Sequence, residues 1–252
     1  MRQDVTIPTP DGDMRAFVFT PDAGQGPWPA AIMFMDAPAI RPALFEMGER
    51  LAKAGYYVLL PDLFWRAGPY DPPDIKAARA GDPEAVALFQ KLRGSTGAGR
   101  QMTDTKACLD FLDSQPRAAA DKVGVTGYCM GGGIALRAAG TFPDRIAAAA
   151  SFHGGNMATD DEKSPHRLAP AIKAKLLIAG ADEDSGFPPE QCDRLAAALK
   201  AAGVDAEVSI WKGAKHGWVP TDMAVHNPQA AERHWRELIA LFDGALKEKA
   251  TA

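Results

Sequence analysis

The hydrophobic positions of the chain form short apolar runs separated by longer amphipathic stretches. The runs are typical of buried strands and lie at 30–35, 56–60, 122–126, 147–152, 175–179 and 206–211. The stretches between them predict helices at 42–54, 101–114, 134–142, 189–202 and 229–246. Apolar strands that alternate with amphipathic helices predict an α/β fold, with a mostly parallel sheet covered by helices on both faces.

Two parts of the chain depart from this alternation. Residues 5–7 and 14–19 are predicted to pair as a hairpin, since Asp11-Gly12 between them is a common turn signal. Residues 63–100 are irregular, with several glycines and prolines and one predicted helix at 83–92. This segment has too few apolar residues for a core of its own. We therefore expect a cap or crossover segment within a single domain that spans residues 1–252.

A Gly-x-Cys-x-Gly motif, with Cys129 between Gly127 and Gly131, follows the predicted strand 122–126 and opens the next helix. A nucleophile at such a junction sits on a strained turn, and a Cβ two positions away would collide with the strand or the helix. The helix N-terminus favours a thiolate, and the amide of Met130 points to where an oxyanion forms. Cys129 is therefore a candidate nucleophile. The alternative is a buried structural cysteine beside a glycine cluster.

Acidic residues and a histidine follow two later strands. In an open α/β sheet, the site lies beyond the carboxyl ends of the strands. Asp182 and Asp184 come after the strand 175–179, and His216 comes after the strand 206–211. The order nucleophile, acid, histidine is that of α/β-hydrolases. His216 is predicted to take the thiol proton, and one of the two acids is predicted to orient its imidazole.

Other polar residues near strand ends are candidates for the same site. Asp36 ends an apolar strand, and in this fold the loop that follows donates the second oxyanion amide, here from Ala37. A carboxylate beside that loop could accept a hydrogen bond from the thiol or take part in its activation; the alternative is an acid that caps the turn. His153 and His166 lie in a polar loop and are candidates for lining the pocket.

Composition and charge narrow the class of function. Apolar residues make up 46% of the 252 residues and charged residues 24%, which is ordinary for a globular protein. The net charge of −4 and the pI of about 5.8 argue against nucleic acid and anionic membranes as partners. No apolar run approaches the ~18 residues of a membrane span. We expect a monomer or small homo-oligomer that acts on a small molecule.

The cysteines and the N-terminus bear on location and cofactors. Cys108, Cys129 and Cys192 are an odd number at unrelated spacings, so they form neither a disulfide framework nor a zinc pattern. The first residues lack an apolar signal segment. We therefore expect a reduced, cytoplasmic location, with no metal and no cofactor.

Three stretches together resemble the dienelactone hydrolase family of cysteine-dependent α/β-hydrolases. They are PDLF at 61–64, VTGYCMGG at 125–132 and GAKHG at 213–217. The resemblance runs from about residue 30 to residue 241, and the Gly-Tyr-Cys-x-Gly-Gly stretch is its most specific part. It implies the α/β-hydrolase fold and the hydrolysis of lactones or small carboxylic esters through a thioacyl-enzyme.

The resemblance also implies roles for individual residues. The triad falls on Cys129, His216 and an acid four residues before a proline. Asp184, four residues before Pro188, fits that spacing, whereas Asp182 does not. The thiol-gating acid of the family falls at Asp36, and the oxyanion amides fall at the two positions already derived from the fold, Ala37 and Met130.

The chain departs from the family in the residues that bind the substrate. The best-known members clamp a substrate carboxylate with two arginines, one of them four residues after the histidine, where this chain has Pro220. We therefore expect neutral lactones or short esters to be preferred, in a pocket made more apolar by residues such as Trp65, Tyr70 and Phe187. Substrate contacts are predicted for Arg66, Tyr128, His153 and Trp218.

Two other classes of function compete with hydrolysis. The chain could be a non-catalytic binding protein that keeps the fold, which an intact triad argues against. It could also be a redox-responsive thiol protein, but Cys129 has no resolving cysteine near it in sequence.

Overall fold

The computed structural model describes residues 1–247. Its strands are β1 (Arg2–Thr9), β2 (Gly12–Phe19), β3 (Trp28–Phe34), β4 (Tyr57–Pro61), β5 (Ala118–Tyr128), β6 (Ile146–Phe152), β7 (Lys175–Ala181) and β8 (Ala206–Trp211). They form one sheet in the order β1-β2-β4-β3-β5-β6-β7-β8. β2 pairs antiparallel with β1 and β4, and every other pair in this sheet is parallel. The prediction of a mostly parallel sheet is confirmed.

The helices are α1 (Pro42–Lys53), α2 (Ile75–Arg79), α3 (Pro83–Gly94), α4 (Ala98–Asp113), α5 (Met130–Thr141), α6 (Pro189–Ala201) and α7 (Pro228–Leu246). All except α2 and α3 pack against strands of the sheet. β4 is buried at each of its five positions, which requires cover on both faces. No helix within residues 1–247 combines the length and the apolarity needed to cross a bilayer.

Several elements begin earlier than the sequence pattern predicts, and α5 and β5 differ most, by four residues each. α5 begins at Met130, not at residue 134, and β5 begins at Ala118, not at residue 122. The glycines that open α5 are poor helix formers by themselves, so the pattern misses its first turn. Close packing of that turn against β3 fixes it, because Gly131 lies directly against the backbone of Phe34.

The segment between β4 and α4 contains more helix than expected. It begins with a 3₁₀ helix at Trp65–Ala67 and continues with α2, which the pattern missed, and α3. Two aspartates, Asp74 and Asp82, cap α2 and α3, and their side chains accept hydrogen bonds from backbone N–H groups in the first turn. These short helices lie over the carboxyl ends of the parallel strands, where they help to form a cavity.

Candidate active site

Cys129 occupies a strained turn between β5 and α5. Its φ of 54° lies in the left-handed region, which L-residues rarely adopt. A Cβ on Gly127 would lie 1.9 Å from the carbonyl oxygen of Gly131, and a Cβ on Gly131 would lie 2.5 Å from that of Phe34. Neither glycine can be replaced without moving backbone. The steric reason inferred from the motif is therefore confirmed.

His216 pairs with one of the two candidate acids. Its Nδ1 lies 2.6 Å from Oδ2 of Asp184, whose Oδ1 accepts the N–H of Gly186 at 2.8 Å. Asp182 instead accepts the N–H of Gly213 at 2.9 Å. The structure thus brings Asp184 to the histidine and leaves Asp182 in a loop contact.

The electrostatics of this pair favour a charged imidazole next to the thiol. Burial acts to lower the pKa of His216, but hydrogen bonds with Asp184 and Cys129 outweigh it and raise this pKa to about 10. For Asp184, burial acts to raise the pKa, and the hydrogen bonds from His216 and Gly186 lower it below its usual value. Since Nδ1 faces the carboxylate, Nε2 is the ring nitrogen that faces Cys129. The arrangement can hold a proton between acid, imidazole and sulfur.

His153 lies directly beneath the nucleophile. Its side chain is fully buried, and its Nδ1 accepts the backbone N–H of Cys129 at 3.1 Å. Burial lowers the pKa of His153 well below 6.5, and the neighbouring His216 and His234 lower it further. The imidazole is therefore neutral. The backbone φ of His153 is 43°, which, like that of Cys129, lies in the left-handed region.

A cavity of about 410 Å³ opens above these residues. Cys129, His153 and His216 line one part of it, together with Asp36 and Ala37. The facing wall comes from α2 and α3, whose lining side chains are Ile75, Ala78, Val86, Phe89, Gln90 and Arg93. The helices of the predicted cap segment thus supply a largely apolar wall opposite the thiol.

Asp36 is tied into a buried ion pair. Both of its carboxylate oxygens accept hydrogen bonds from Arg41, at 2.6 and 3.0 Å, and the same guanidinium binds Asp222. Burial raises the pKa of Asp36, against the opposing effect of Arg41. Asp36 is thus an acid on the cavity wall whose position Arg41 fixes.

The two predicted oxyanion amides belong to Ala37 and to Met130, the residue after the nucleophile. Ala37 lines the cavity. Met130 is the first residue of α5, so its N–H has no acceptor one turn earlier in the helix and adjoins the thiol.

Three residues predicted to contact the substrate are not among those that line this cavity. Arg66 is held by both oxygens of Asp104 and by Asp11. Tyr128 is fully buried, with its hydroxyl 3.0 Å from Nε2 of His234. Trp218 is fully buried as well, with its ring 4.9 Å from that of His153.

The other candidates raised for the pocket also lie elsewhere. His166 forms a hydrogen bond with Ser164 at 2.9 Å and does not line the cavity. The aromatic residues that were predicted to make the pocket apolar do not line it either; they are Trp65, Tyr70 and Phe187. The apolar wall is built instead by α2 and α3, through residues such as Val86 and Phe89. Val86, Phe89 and Arg93 share one side of α3 at spacings of three and four, and that helical spacing is the signal that could have identified them.

The sheet and the strand–turn–helix at Cys129 define an α/β-hydrolase. The chain belongs to the dienelactone hydrolase family, whose model matches residues 14–246. A relative from Synechocystis sp., named "Putative carboxymethylenebutenolidase", is 26% identical over 251 residues, which cover 96% of each protein.

Solved structures agree on the fold. The "Dienelactone Hydrolase-like Promiscuous Phospotriesterase P91" from metagenomic libraries has a TM-score of 0.80 at 21% identity, covering 98% of both chains. The dienelactone hydrolase from Anabaena variabilis has a TM-score of 0.69 at 19% identity, covering 98% of this chain and 99% of that one. At these identities the likeness concerns the fold alone.

Proposed function

We propose that the protein hydrolyses lactones or small carboxylic esters through a thioester on Cys129. The observation that carries this proposal is the 2.6 Å contact between Asp184 and His216, whose imidazole lines the same cavity as Cys129. Membership of the dienelactone hydrolase family and a relative named as a carboxymethylenebutenolidase support the same reaction class.

In acylation, the thiolate of Cys129 attacks the ester carbonyl while His216 holds the thiol proton. The amides of Ala37 and Met130 bind the oxyanion. When the carbon–oxygen bond breaks, His216 gives that proton to the leaving alkoxy oxygen, and a thioester remains. In deacylation, His216 takes a proton from water while the remaining hydroxide adds to the thioester carbonyl. The intermediate collapses to the carboxylic acid and the thiolate of Cys129, and the protonated His216 beside that thiolate restores the starting state.

Asp184 and Asp36 have different parts in this scheme. Asp184 orients His216 and stabilises its charged form. Asp36 acts as a thiol-gating acid, and its position in the cavity wall supports that role, although Arg41 restrains its movement. We also propose that residues 1–252 form one catalytic domain, with residues 63–100 as its cap; residues 248–252 lie outside the described part.

The nucleophile is tested by Cys129→Ala, assayed with p-nitrophenyl acetate and a neutral γ-lactone. We expect the wild-type protein to turn over both and the variant to lose activity at unchanged thermal stability. Cys129→Ser is the matched control, because it keeps the size of the side chain but not the low pKa of a thiol. Retention of most activity by Cys129→Ala would contradict the proposal.

The apolar wall of the cavity favours a neutral substrate. Ile75, Ala78, Val86 and Phe89 would contact the part of the ester that points away from the thiol. Arg93 is the cationic side chain at this wall, and it is exposed, so an ion pair there is worth little. We expect the methyl ester of a carboxylated lactone to have a higher kcat/KM than the free acid. A strong preference for the free acid that is lost in Arg93→Gln would contradict this expectation.

A binding protein without catalysis remains the competing candidate. The cavity and the covering helices would serve a binder equally well. Correct folding without turnover of any activated ester would favour this alternative.

A further inference from the structure

Arg41 uses all five N–H groups of its guanidinium within the protein. Nη1 donates to Oδ1 of Asp36 at 2.6 Å and to the carbonyl oxygen of Ala39 at 3.1 Å. Nη2 donates to Oδ2 of Asp36 at 3.0 Å and to Oδ1 of Asp222 at 3.1 Å, and Nε donates to Oδ2 of Asp222 at 2.5 Å. A guanidinium has five N–H donors, so none is left for a substrate carboxylate. Arg41 therefore acts on the protein itself, beside the cavity that Asp36 lines.

The five hydrogen bonds join two loops at the cavity. One is the oxyanion turn, residues 36–39, which follows β3. The other is the histidine loop, residues 216–227, which runs from His216 to α7 and carries Asp222 next to Met223, another residue that lines the cavity. β3 and β8 are separated in the sheet by β5, β6 and β7, so strand pairing does not join the two loops. The guanidinium supplies that connection.

The oxyanion turn is strained and needs such a restraint. Ala39 has a φ of 68°, in the left-handed region, and its N–H donates to the carbonyl oxygen of Asp36 at 3.2 Å. A backbone held in that region persists only where its surroundings fix it. Arg41 fixes both ends of the turn, because it binds the carboxylate of Asp36 and the carbonyl oxygen of Ala39.

The position of this turn determines where the amide of Ala37 lies. Ala37 lines the cavity with Cys129, and none of residues 1–247 accepts a hydrogen bond from its backbone N–H. The turn also begins beside the nucleophile, since a Cβ on Gly131 would lie 2.5 and 2.7 Å from the carbonyl oxygens of Phe34 and Met35. A donor to an oxyanion works only if it is placed before the ester binds, and a displacement of about 1 Å can cost roughly a hundredfold in rate.

We propose that Arg41 and Asp222 are positioning residues for the oxyanion amide of Ala37. Asp222 anchors the guanidinium on the histidine loop, and the guanidinium holds the oxyanion turn in its strained form. Without Asp222, two N–H groups of a side chain that is 7% exposed lose their acceptors, so the guanidinium turns toward water and releases Ala39. The inference rests on the proposed thioester mechanism, to which it adds the groups that fix the oxyanion site.

The chain offers a test variant and a matched control in adjacent positions. Asp222→Ala removes two hydrogen bonds of Arg41 but leaves its pair with Asp36, and the side chain of Asp222 is 42% exposed, so its loss leaves no internal cavity. Asp222→Asn keeps one acceptor and should have a smaller effect. Thr221→Ala is the control, because the Thr221 hydroxyl ties the same loop to Glu46 at 3.1 Å without touching the guanidinium.

The first readout separates kcat from KM for p-nitrophenyl acetate. Acylation and deacylation both form an oxyanion, so a displaced amide slows both steps together. We expect Asp222→Ala to lose roughly tenfold to a hundredfold in kcat, with KM within about twofold of the wild type. Thr221→Ala should match the wild type in both constants.

The second readout asks whether the loss depends on the oxyanion. The thionoester analogue, O-p-nitrophenyl thionoacetate, places the developing charge on sulfur, which is a weak hydrogen-bond acceptor. Its kcat/KM should therefore fall much less in Asp222→Ala than that of the oxygen ester. Alkylation of Cys129 by iodoacetamide forms no oxyanion, and its rate should stay that of the wild type.

Other outcomes overturn the inference in distinguishable ways. A higher KM at unchanged kcat shows that Asp222 shapes the pocket and not the oxyanion site. Equal losses with the two esters, or slower alkylation, show a general disturbance of the thiol and its histidine. If Asp222→Ala does not fold, a wild-type ratio of ester to thionoester kcat/KM in Asp222→Asn overturns the inference. Failure of the wild-type protein to hydrolyse any ester refutes the proposed function, and the inference falls with it.

Discussion

Replacement of Asp184 by asparagine tests which tautomer of His216 the site requires. Oδ1 of Asp184 accepts the N–H of Gly186, and Oδ2 faces Nδ1 of His216 at 2.6 Å. In Asp184→Asn the amide oxygen stays on Gly186, so the NH₂ group turns toward Nδ1. Nδ1 must then accept, which moves the ring proton to Nε2. That nitrogen is the one required to take the proton of Cys129.

The size of the effect follows from this tautomer change. An aspartate-to-asparagine change in a serine triad lowers kcat by about 10⁴-fold. A thiol ionises more easily than a hydroxyl and needs less help from the base. We therefore expect a loss of roughly 10³-fold in kcat, or about 4 kcal/mol in the activation barrier.

Asp182→Asn is the matched control, because it removes the same charge from the same loop without touching His216. Asp182 accepts the N–H of Gly213, and the amide oxygen of asparagine can keep that bond. We expect its kcat for p-nitrophenyl acetate to fall by less than roughly tenfold. Equal losses in the two variants, or a larger loss in Asp182→Asn, would refute the assignment of the orienting acid.

Two further predictions concern stability. Arg41→Met leaves the carboxylate of Asp36, which is 3% exposed, without its partner. The free energy of unfolding in urea should therefore fall by roughly 3–5 kcal/mol and recover largely in the double variant with Asp36→Asn. An unchanged midpoint of urea unfolding in Arg41→Met would contradict this prediction. Folding raises the pKa of His216 from 6.5 to about 10, so its contribution to stability is complete below pH 6.5 and is lost as the pH rises toward 10. The difference in unfolding free energy between the wild type and His216→Gln should decline over that window, and a constant difference would contradict the raised pKa.

The parts of the site that depend on local sterics could be predicted from the sequence. The turn at Cys129 is one example, because only glycine fits at positions 127 and 131 and the pattern is contained in five residues. The alternation of strands and helices likewise follows from local hydrophobic periodicity. The choice of Asp184 over Asp182 came from the family resemblance, since both acids follow the same strand.

Contacts between distant parts of the chain could not be predicted in this way. Arg41 and Asp222 are 181 residues apart in sequence, and nothing in either neighbourhood indicates their pairing. The sequence predicts Arg66 near the substrate, but Asp104 on α4 holds its guanidinium. α2 was missed because a helix of five residues has too few positions to show periodicity.

The central claim is that an acyl group passes through the sulfur of Cys129. The most direct test is to mix the protein with p-nitrophenyl acetate, quench with acid within the first turnover and locate the adduct by mass spectrometry of the peptides. The account predicts one acetyl group on the peptide that contains Cys129, formed at the rate of the p-nitrophenol burst and lost at the rate of turnover. Turnover of the ester without an adduct, or with the acetyl group on another residue, would contradict it.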